Sequence, residues 1–184
     1  GVLYDALWSQ AFCSKTLSAM ALGETFTGQN GTLAAGGMPS FSSEIADTTL
    51  EPTLSKGEQS NTSIVFGDRY IMKVFRRLEN GINPDLEIGR YLSEKRQFAH
   101  SPAVVGFLEY RRRKAEPMTL ALLQRYVPNQ GTGWNHALDV LGQYLERVVT
   151  ANGGMHVLPE VSASVADLAL ADPSAEVVEI IGTY

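Results

Sequence analysis

The alternation of hydrophobic and polar residues is clearest in the middle of the chain, where it predicts two β-strands. The strands cover residues 63–66 and 69–75, and Gly67 and Asp68 form the turn between them. Successive side chains of a strand point to opposite faces, so the second strand has two distinct sides. One face carries Ile71, Lys73 and Phe75, and the other carries Tyr70, Met72 and Val74.

Apolar residues at helical spacing predict three helices. The first covers residues 5–22 and ends at Gly23. The second begins at Asn83-Pro84, because asparagine is a good N-cap and proline suits the first helical position, and it runs to about Glu94. The third covers residues 134–150. Its apolar face consists of Leu138, Leu141, Leu145 and Val148.

The remaining segments predict further strands joined by turns. Residues 104–112 and 118–127 indicate a second hairpin, and residues 48–55 indicate another strand. Residues 28–43 are rich in Gly, Ser and Thr, which favours weak strands and turns such as an edge hairpin. Because hairpins rather than helical crossovers link the strands, we predict an α+β fold. It would consist of an antiparallel sheet with flanking helices, all on one side of the sheet.

Composition and charge narrow the function classes. The 184 residues are 44% hydrophobic and 19% charged, which is typical of a soluble globular protein with a substantial core. The formal net charge of −5 disfavours nucleic-acid binding, which depends on neutralising phosphates with Lys and Arg. No apolar run approaches the roughly 20 residues of a membrane span, so we expect no membrane partner and a cytoplasmic location.

Cysteine and histidine usage gives no indication of a metal site. The single cysteine, Cys13, lies in an apolar helical pattern, so we expect a packed thiol. The three histidines, His100, His136 and His156, have no partners at ligand spacing. We interpret each of them as a surface or structural residue.

Lys73 is unusual because it lies between Met72 and Val74 in a strand predicted to be half-buried. A buried ammonium costs free energy unless it is paired, and Glu87 on the following helix is a candidate partner. In protein kinases a strand lysine binds phosphate oxygens and is held by a helix glutamate. An alternative places Lys73 on a solvated face and makes Glu87 an ordinary first-turn acid. The residues alone leave both alternatives open.

Small and hydrogen-bonding residues lead into the first of these strands. Ser60, Asn61, Thr62 and Ser63 are able to present N–H groups and hydroxyls to a polyphosphate. The segment is not a P-loop, because the sequence contains no GxxxxGK[ST] motif. Such residues are also common in turns, so the segment by itself is only a weak indication of phosphate binding.

Residues 58–92 have the sequence EQSNTSIVFGDRYIMKVFRRLENGINPDLEIGRYL. This segment resembles the small lobe of bacterial maltokinases, which occur alone or fused behind a trehalose synthase. The resemblance extends to ALLQRYVPNQGTGW at residues 121–134 and to LYDALWSQAFC at residues 3–13. It implies a fold similar to the N-terminal lobe of aminoglycoside phosphotransferases and protein kinases.

The resemblance also implies a domain organisation. Residues 1–55 would form an N-terminal cap subdomain, and residues 56–127 would form the kinase-like small lobe. Residues 128–184 would contain the hinge exit and the first helices toward a large lobe that lies outside this chain.

The reaction that the resemblance implies is ATP-dependent phosphorylation of maltose to maltose 1-phosphate, with Mg²⁺, as a step toward α-glucan. Lys73 would bind the α- and β-phosphates of ATP, and Glu87 would orient Lys73. The phosphate loop would consist of Ser60, Asn61, Thr62 and Ser63. The adenine pocket would be lined by Gln124, Tyr126 and Val127.

The sequence departs from the family at the catalytic loop. Members carry an HGD-type loop and a later metal-binding aspartate in the large lobe, but the three histidines here are followed by Ser, Ala and Val. We therefore expect no catalytic residue and no metal ligand in this chain. The expected molecule is an inactive fragment of a kinase that is completed by a C-terminal lobe, and the initial Gly1 favours the same interpretation.

Two other hypotheses remain. The cap and small lobe could dock on an adjoining trehalose synthase domain, since residues 23–47 have no predicted nucleotide role; an ordinary surface hairpin explains the same stretch. Alternatively, the chain is a non-catalytic small lobe that binds another ligand, because a fold does not determine a function.

Overall fold

The computed structural model describes residues 1–45, 50–55, 60–151, 164–173, 175 and 178. The chain divides into two compact units, Gly1–Pro128 and Asn129–Tyr184. The described strands all belong to the first unit.

The first unit is built on one sheet. Its strands are β1 (Thr25–Thr27), β2 (Thr32–Gly37), β3 (Pro52–Leu54), β4 (Asn61–Phe66), β5 (Tyr70–Phe75), β6 (Val104–Arg111) and β7 (Met118–Arg125). In the described residues these strands form a seven-stranded sheet in the order β1-β2-β6-β7-β5-β4-β3, and every neighbouring pair is antiparallel. The predicted α+β class with an antiparallel sheet is therefore confirmed.

Local sequence signals determine where the helices of this unit begin and end. The described helices are α1 (Gln10–Leu22), α2 (Pro39–Ile45) and α3 (Pro84–Arg90), with a 3₁₀ turn at Ala6–Trp8 and a π-helical segment at Tyr91–Arg96. Gly23 ends α1 in the left-handed conformation with φ 65°, as predicted. The side chain of Asn83 caps α3 by accepting a hydrogen bond from the N–H of Asp85 at 2.9 Å.

Two predicted hairpins and one strand are confirmed. β4 and β5 pair across the turn at Gly67, and β6 pairs with β7. The edge hairpin expected within residues 28–43 is only half in place: β2 lies in that stretch, but its partner β1, at the edge of the sheet, precedes the stretch. The strand expected over 48–55 is present as β3, although residues 48 and 49 lie outside the described part of the chain.

Residues 39–43, the end of the stretch expected to contain strands and turns, belong instead to the helix α2. Phe41 explains the difference. Its side chain is completely buried, and its ring packs edge-on against Tyr70 with centroids 5.1 Å apart. The helical backbone directs this aromatic side chain into the core, where it contacts Tyr70. The composition of the local segment does not encode this contact.

The helices cover both faces of the sheet, so the prediction that they lie on one side is wrong. On one face α1 packs Cys13 and Met20 into a core with Met72. On the opposite face α3 packs Leu86 against Phe75. β5 has apolar residues at both odd and even positions, so both of its faces must be shielded from water. The predicted division of β5 into two faces is confirmed.

The second unit contains two described helices, α4 (Gly133–Ala151) and α5 (Val165–Leu170). The helix predicted over 134–150 is therefore confirmed. The hydroxyl of Thr132 caps α4 by accepting a hydrogen bond from the N–H of Asn135 at 3.2 Å. Helices long and apolar enough to cross a membrane are absent from the described residues.

Candidate functional site

Lys73 lies in the middle of β5, with its side chain half-buried. The register pairs it with Ser63 of β4 on one side and with Leu122 of β7 on the other. Directly paired residues of antiparallel strands point to the same face. Lys73, Ser63 and Leu122 therefore share the face of the sheet that α3 covers, and this face is the candidate site.

Ser63 buries a hydroxyl that has no hydrogen-bond partner among the described residues. The residue is 1% exposed. Among the described residues, its Oγ is the only buried side-chain oxygen or nitrogen without a partner. A buried polar group left in this state costs about 1–3 kcal/mol and calls for an explanation such as a bound water or ligand. The neighbouring ammonium of Lys73 makes an anionic oxygen a suitable partner.

Asn61 also lies on the face of Lys73. It pairs with Phe75, which is two residues beyond Lys73 on β5 and belongs to the same apolar cluster as Leu86. Ser63 and Asn61 are thus one pleat apart on β4. The structure brings these two predicted phosphate-loop residues to the same surface.

The other two predicted loop residues are arranged differently. Thr62 pairs with Val74 on the opposite face, and its Oγ1 accepts a hydrogen bond from Nε of Arg76 at 2.9 Å. Ser60 precedes β4 and is exposed. Residues 56–59, which would continue the loop, lie outside the described residues. The alternation of β4 therefore separates Thr62 from the surface that carries Lys73.

Glu87 is exposed on α3, whose buried positions are Leu86 and Gly89. Four ion pairs within 4.0 Å occur among the described residues, and Lys73 and Glu87 take part in none of them. The orienting role of Glu87 stays a prediction.

Sequence reasoning missed Arg90, which brings a charge from α3 to this face. Its guanidinium lies over the ring of Phe107, 5.3 Å from the centroid. Phe107 pairs with Leu122, which in turn pairs with Lys73. Residue spacing on α3 offers no signal for this contact, because the position of Phe107 depends on the register of three strands.

The predicted adenine-binding residues begin at the end of β7. Gln124 pairs with Ile71 and therefore lies on the face of Lys73, one pleat away along β5. The next two backbone N–H groups are used within the protein. Arg125 donates to the carbonyl of Ala103 at 2.9 Å, and Tyr126 donates to the carbonyl of Arg69 at 2.8 Å. Adenine cannot accept hydrogen bonds from these two groups while they stay in place.

Tyr126 and Val127 line a cleft of about 460 Å³. The cleft is also lined by Phe98 and Pro102 from the segment before β6, and by Ser93 of the π-helical segment. Its volume falls within the roughly 300–1,000 Å³ of small-molecule sites. Neither Lys73 nor Gln124 contributes to the lining, so the predicted adenine residues divide between this cleft and the candidate site.

A polar cluster beside this segment was not predicted from the sequence. Glu44 of α2 accepts hydrogen bonds from the hydroxyl of Tyr70 at 2.8 Å and from Nη2 of Arg125 at 2.5 Å. Nη2 of Arg69 lies 3.9 Å from the same carboxylate. Arg125 lowers the pKa of Glu44, and Tyr70 and Arg69 lower it further. Burial, followed by the bond to Glu44, raises the pKa of Tyr70.

The described residues contain no cluster of side chains that could bind a metal ion. No group of three or more His, Cys, Asp or Glu side chains there is placed to hold an ion.

Comparison with known proteins found no matching family model. Two solved structures of glucosamine kinases are similar to the chain. One is a complex with glucosamine, ADP and inorganic phosphate. It is 18% identical to this chain, with a TM-score of 0.42, and the match covers 73% of this chain and 41% of the glucosamine kinase chain. The other is crystal form B of a glucosamine kinase. It is 15% identical, with a TM-score of 0.37, and the match covers 77% of this chain and 46% of the glucosamine kinase chain. The chain thus spans less than half the length of either, and similarity at this level does not bear on its activity.

Proposed function

We propose that this chain is the part of an ATP-dependent sugar kinase that holds the nucleotide phosphates. The observation that carries the proposal is the pair formed by Ser63 and Lys73. A buried hydroxyl that finds no partner in the described part of the chain lies across the β4–β5 ladder from a half-buried ammonium group. Phosphate oxygens are negatively charged acceptors, so they satisfy both groups at once.

Each residue of the pair has a separate role in the proposal. Lys73 supplies positive charge to the α- and β-phosphates, as a compact ammonium on a flexible stem. Ser63 donates its hydroxyl to a phosphate oxygen and thereby satisfies its own buried Oγ. Asn61, one pleat further along β4, offers an amide donor to the same group.

Phosphoryl transfer needs further groups. A carboxylate must accept the proton of the sugar hydroxyl, and Mg²⁺ must neutralise charge on the phosphates. We assign both to the remainder of the parent kinase, in its C-terminal lobe. Maltose as the phosphate acceptor is supported by the sequence resemblance alone.

The isolated chain should therefore bind ATP weakly and transfer no phosphate. Ligand sites normally bury most of the ligand, and half of a two-lobe cleft leaves one side of the nucleotide in water. We expect a dissociation constant on the order of 1 mM or weaker, which corresponds to about −4 kcal/mol. A micromolar constant from titration calorimetry would contradict this expectation.

The test is an NMR titration of the isotope-labelled chain with ATP. We expect the amides of Asn61, Ser63 and Lys73 to shift on binding, and Lys73→Met to abolish these shifts while β5 stays folded. The matched control is Lys15→Met, which removes an exposed lysine of α1, the helix on the opposite face. Unchanged affinity in Lys73→Met, or shifts confined to other residues, would refute the proposal.

The same substitution in the parent enzyme addresses the docking hypothesis, which stays a prediction. If residues 1–127 act as a kinase lobe, Lys73→Met should abolish sugar phosphorylation and leave assembly with a trehalose synthase domain intact. If the region serves docking alone, phosphorylation should be unchanged.

A further inference from the structure

Glu44 joins α2 to the end of the sheet where the predicted adenine-binding segment begins. It is the only carboxylate of α2. One oxygen accepts a hydrogen bond from the hydroxyl of Tyr70, and the other accepts one from Nη2 of Arg125. Tyr70 and Arg125 are themselves paired in the β5–β7 register, so the carboxylate bridges two neighbouring strands.

The backbone strengthens the same connection. Arg125 lies between Gln124 and Tyr126, two of the residues predicted to meet the adenine ring. The N–H of Tyr126 donates to the carbonyl of Arg69, whose guanidinium lies 3.9 Å from Glu44. Glu44 therefore interacts with the residue inside the segment and with the residue that anchors the segment.

The carboxylate is held in place by packing as well as by charge. Phe41, one turn earlier on α2, is fully buried against the ring of Tyr70. Ser42 donates its hydroxyl to the carbonyl of Ala21, which ties α2 to the end of α1. Glu44 thus extends from a fixed helix, unlike a carboxylate on a mobile surface loop, which gains little from an ion pair.

We propose that Glu44 is a positioning residue for the nucleotide. It holds Arg125, and through it keeps the neighbouring Gln124 on the face of Lys73, where the proposed phosphate site lies. The inference rests on the proposed function and extends it to residues 23–47, the stretch to which the sequence assigned no nucleotide role. A segment that is already ordered loses less entropy when it binds a ligand, so its ordering raises affinity.

The experiment compares Glu44→Gln with the unchanged chain. The amide keeps the shape of the side chain and an acceptor for Tyr70, but it removes the charge that holds Arg125. We expect amide hydrogen exchange at Tyr126 to accelerate about tenfold, with exchange at Leu122 in the middle of β7 unchanged. We expect the dissociation constant for ATP, measured by NMR titration, to rise about fivefold.

Two further variants make the comparison specific. Glu51→Gln removes an exposed carboxylate outside the cluster and should change neither measurement. Arg125→Gln, at a side chain that is 46% exposed, should reproduce both effects of Glu44→Gln without endangering the fold. The double variant should be no worse than either single one, because the two residues act through one contact.

The outcomes separate this inference from the proposed function. If the unchanged chain fails to bind ATP, the proposed function and the nucleotide part of this inference both fail, and exchange at Tyr126 alone decides whether Glu44 holds the segment. If the unchanged chain binds ATP and Glu44→Gln binds it equally well, the proposed function stands and the positioning role is overturned. Unchanged exchange at Tyr126 in Glu44→Gln also overturns it.

Discussion

Ser63 lies directly across the β4–β5 ladder from Lys73, and its buried hydroxyl has no hydrogen-bond partner in the described protein. Removing the hydroxyl should therefore not harm the ligand-free fold. We expect Ser63→Ala to leave the free energy of unfolding unchanged or to raise it by about 1–3 kcal/mol, since a buried unsatisfied group disappears. The same variant should weaken ATP binding. Urea denaturation and NMR titration measure the two effects.

The matched control is Ser93→Ala, because this hydroxyl is fully used. It donates to the carbonyl of Gly89 at 2.7 Å and accepts from the N–H of Val104 at 2.9 Å. Its removal leaves the N–H of Val104 without a partner and should destabilise the protein by about 1–3 kcal/mol. If Ser63→Ala were as destabilising as Ser93→Ala, the hydroxyl of Ser63 would have a partner in the free protein.

The contribution of Glu44 to stability should depend on pH. Arg125, first among its partners, lowers the pKa of Glu44 below the ordinary value of 4.5. A lowered folded-state pKa gives stability that is complete above 4.5 and is lost as the pH falls through the folded-state value. Wild type should exceed Glu44→Gln in unfolding free energy at neutral pH, and the difference should shrink in acid. A difference that grew in acid would contradict the assignment.

Tyr70 should show the opposite pH dependence. Its folded-state pKa is raised above 10 by burial and by the bond to Glu44, so its contribution is complete below pH 10 and is lost as the pH rises through the higher value. At neutral pH, Tyr70→Phe should cost about 1–2 kcal/mol, because a hydrogen bond to a charged acceptor is lost. Denaturation curves of both proteins on either side of pH 10 measure the change. A constant difference across that range would refute the prediction.

The close approach of α3 to β6 requires a glycine. A Cβ at Gly89 would lie 2.6 Å from Cγ2 of Val104, a β-branched residue that is 2% exposed. We expect Gly89→Ala to destabilise the protein by about 1–3 kcal/mol through overpacking, in spite of the better helix propensity of alanine. Urea denaturation measures the loss.

Gly142 on α4 is the control for helix propensity alone. Apart from its chain neighbours and the backbone of its own helix, a Cβ there meets no described atom within 4 Å. Gly142→Ala should therefore stabilise its helix by about 1 kcal/mol. Destabilisation by both alanines, or by neither, would show that the contact with Val104 does not decide the effect at Gly89.

The elements that were predicted correctly depend on residues close together in the chain. The alternation of β5 repeats every two residues, and the ends of helices depend on single residues such as Gly23 and Asn83. Such signals act within one turn of a helix or one pleat of a strand, so they survive in any fold that contains the element. They were sufficient for the α+β class, the hairpins and the position of Lys73 in the middle of a strand.

Local patterns thus account for the two central hairpins, the helices α1, α3 and α4, and the residues worth testing as a phosphate site. Which of these residues meet depends on the tertiary structure. It put Ser63 beside Lys73 and turned Thr62 to the other face, it left Glu87 outside every ion pair among the described residues, and it joined Glu44 to Arg125. The last two residues are 81 positions apart, and their contact depends on strand order, register and the helix that packing induces at residues 39–45. Those features are set by burial across the whole sheet, and no local pattern encodes them.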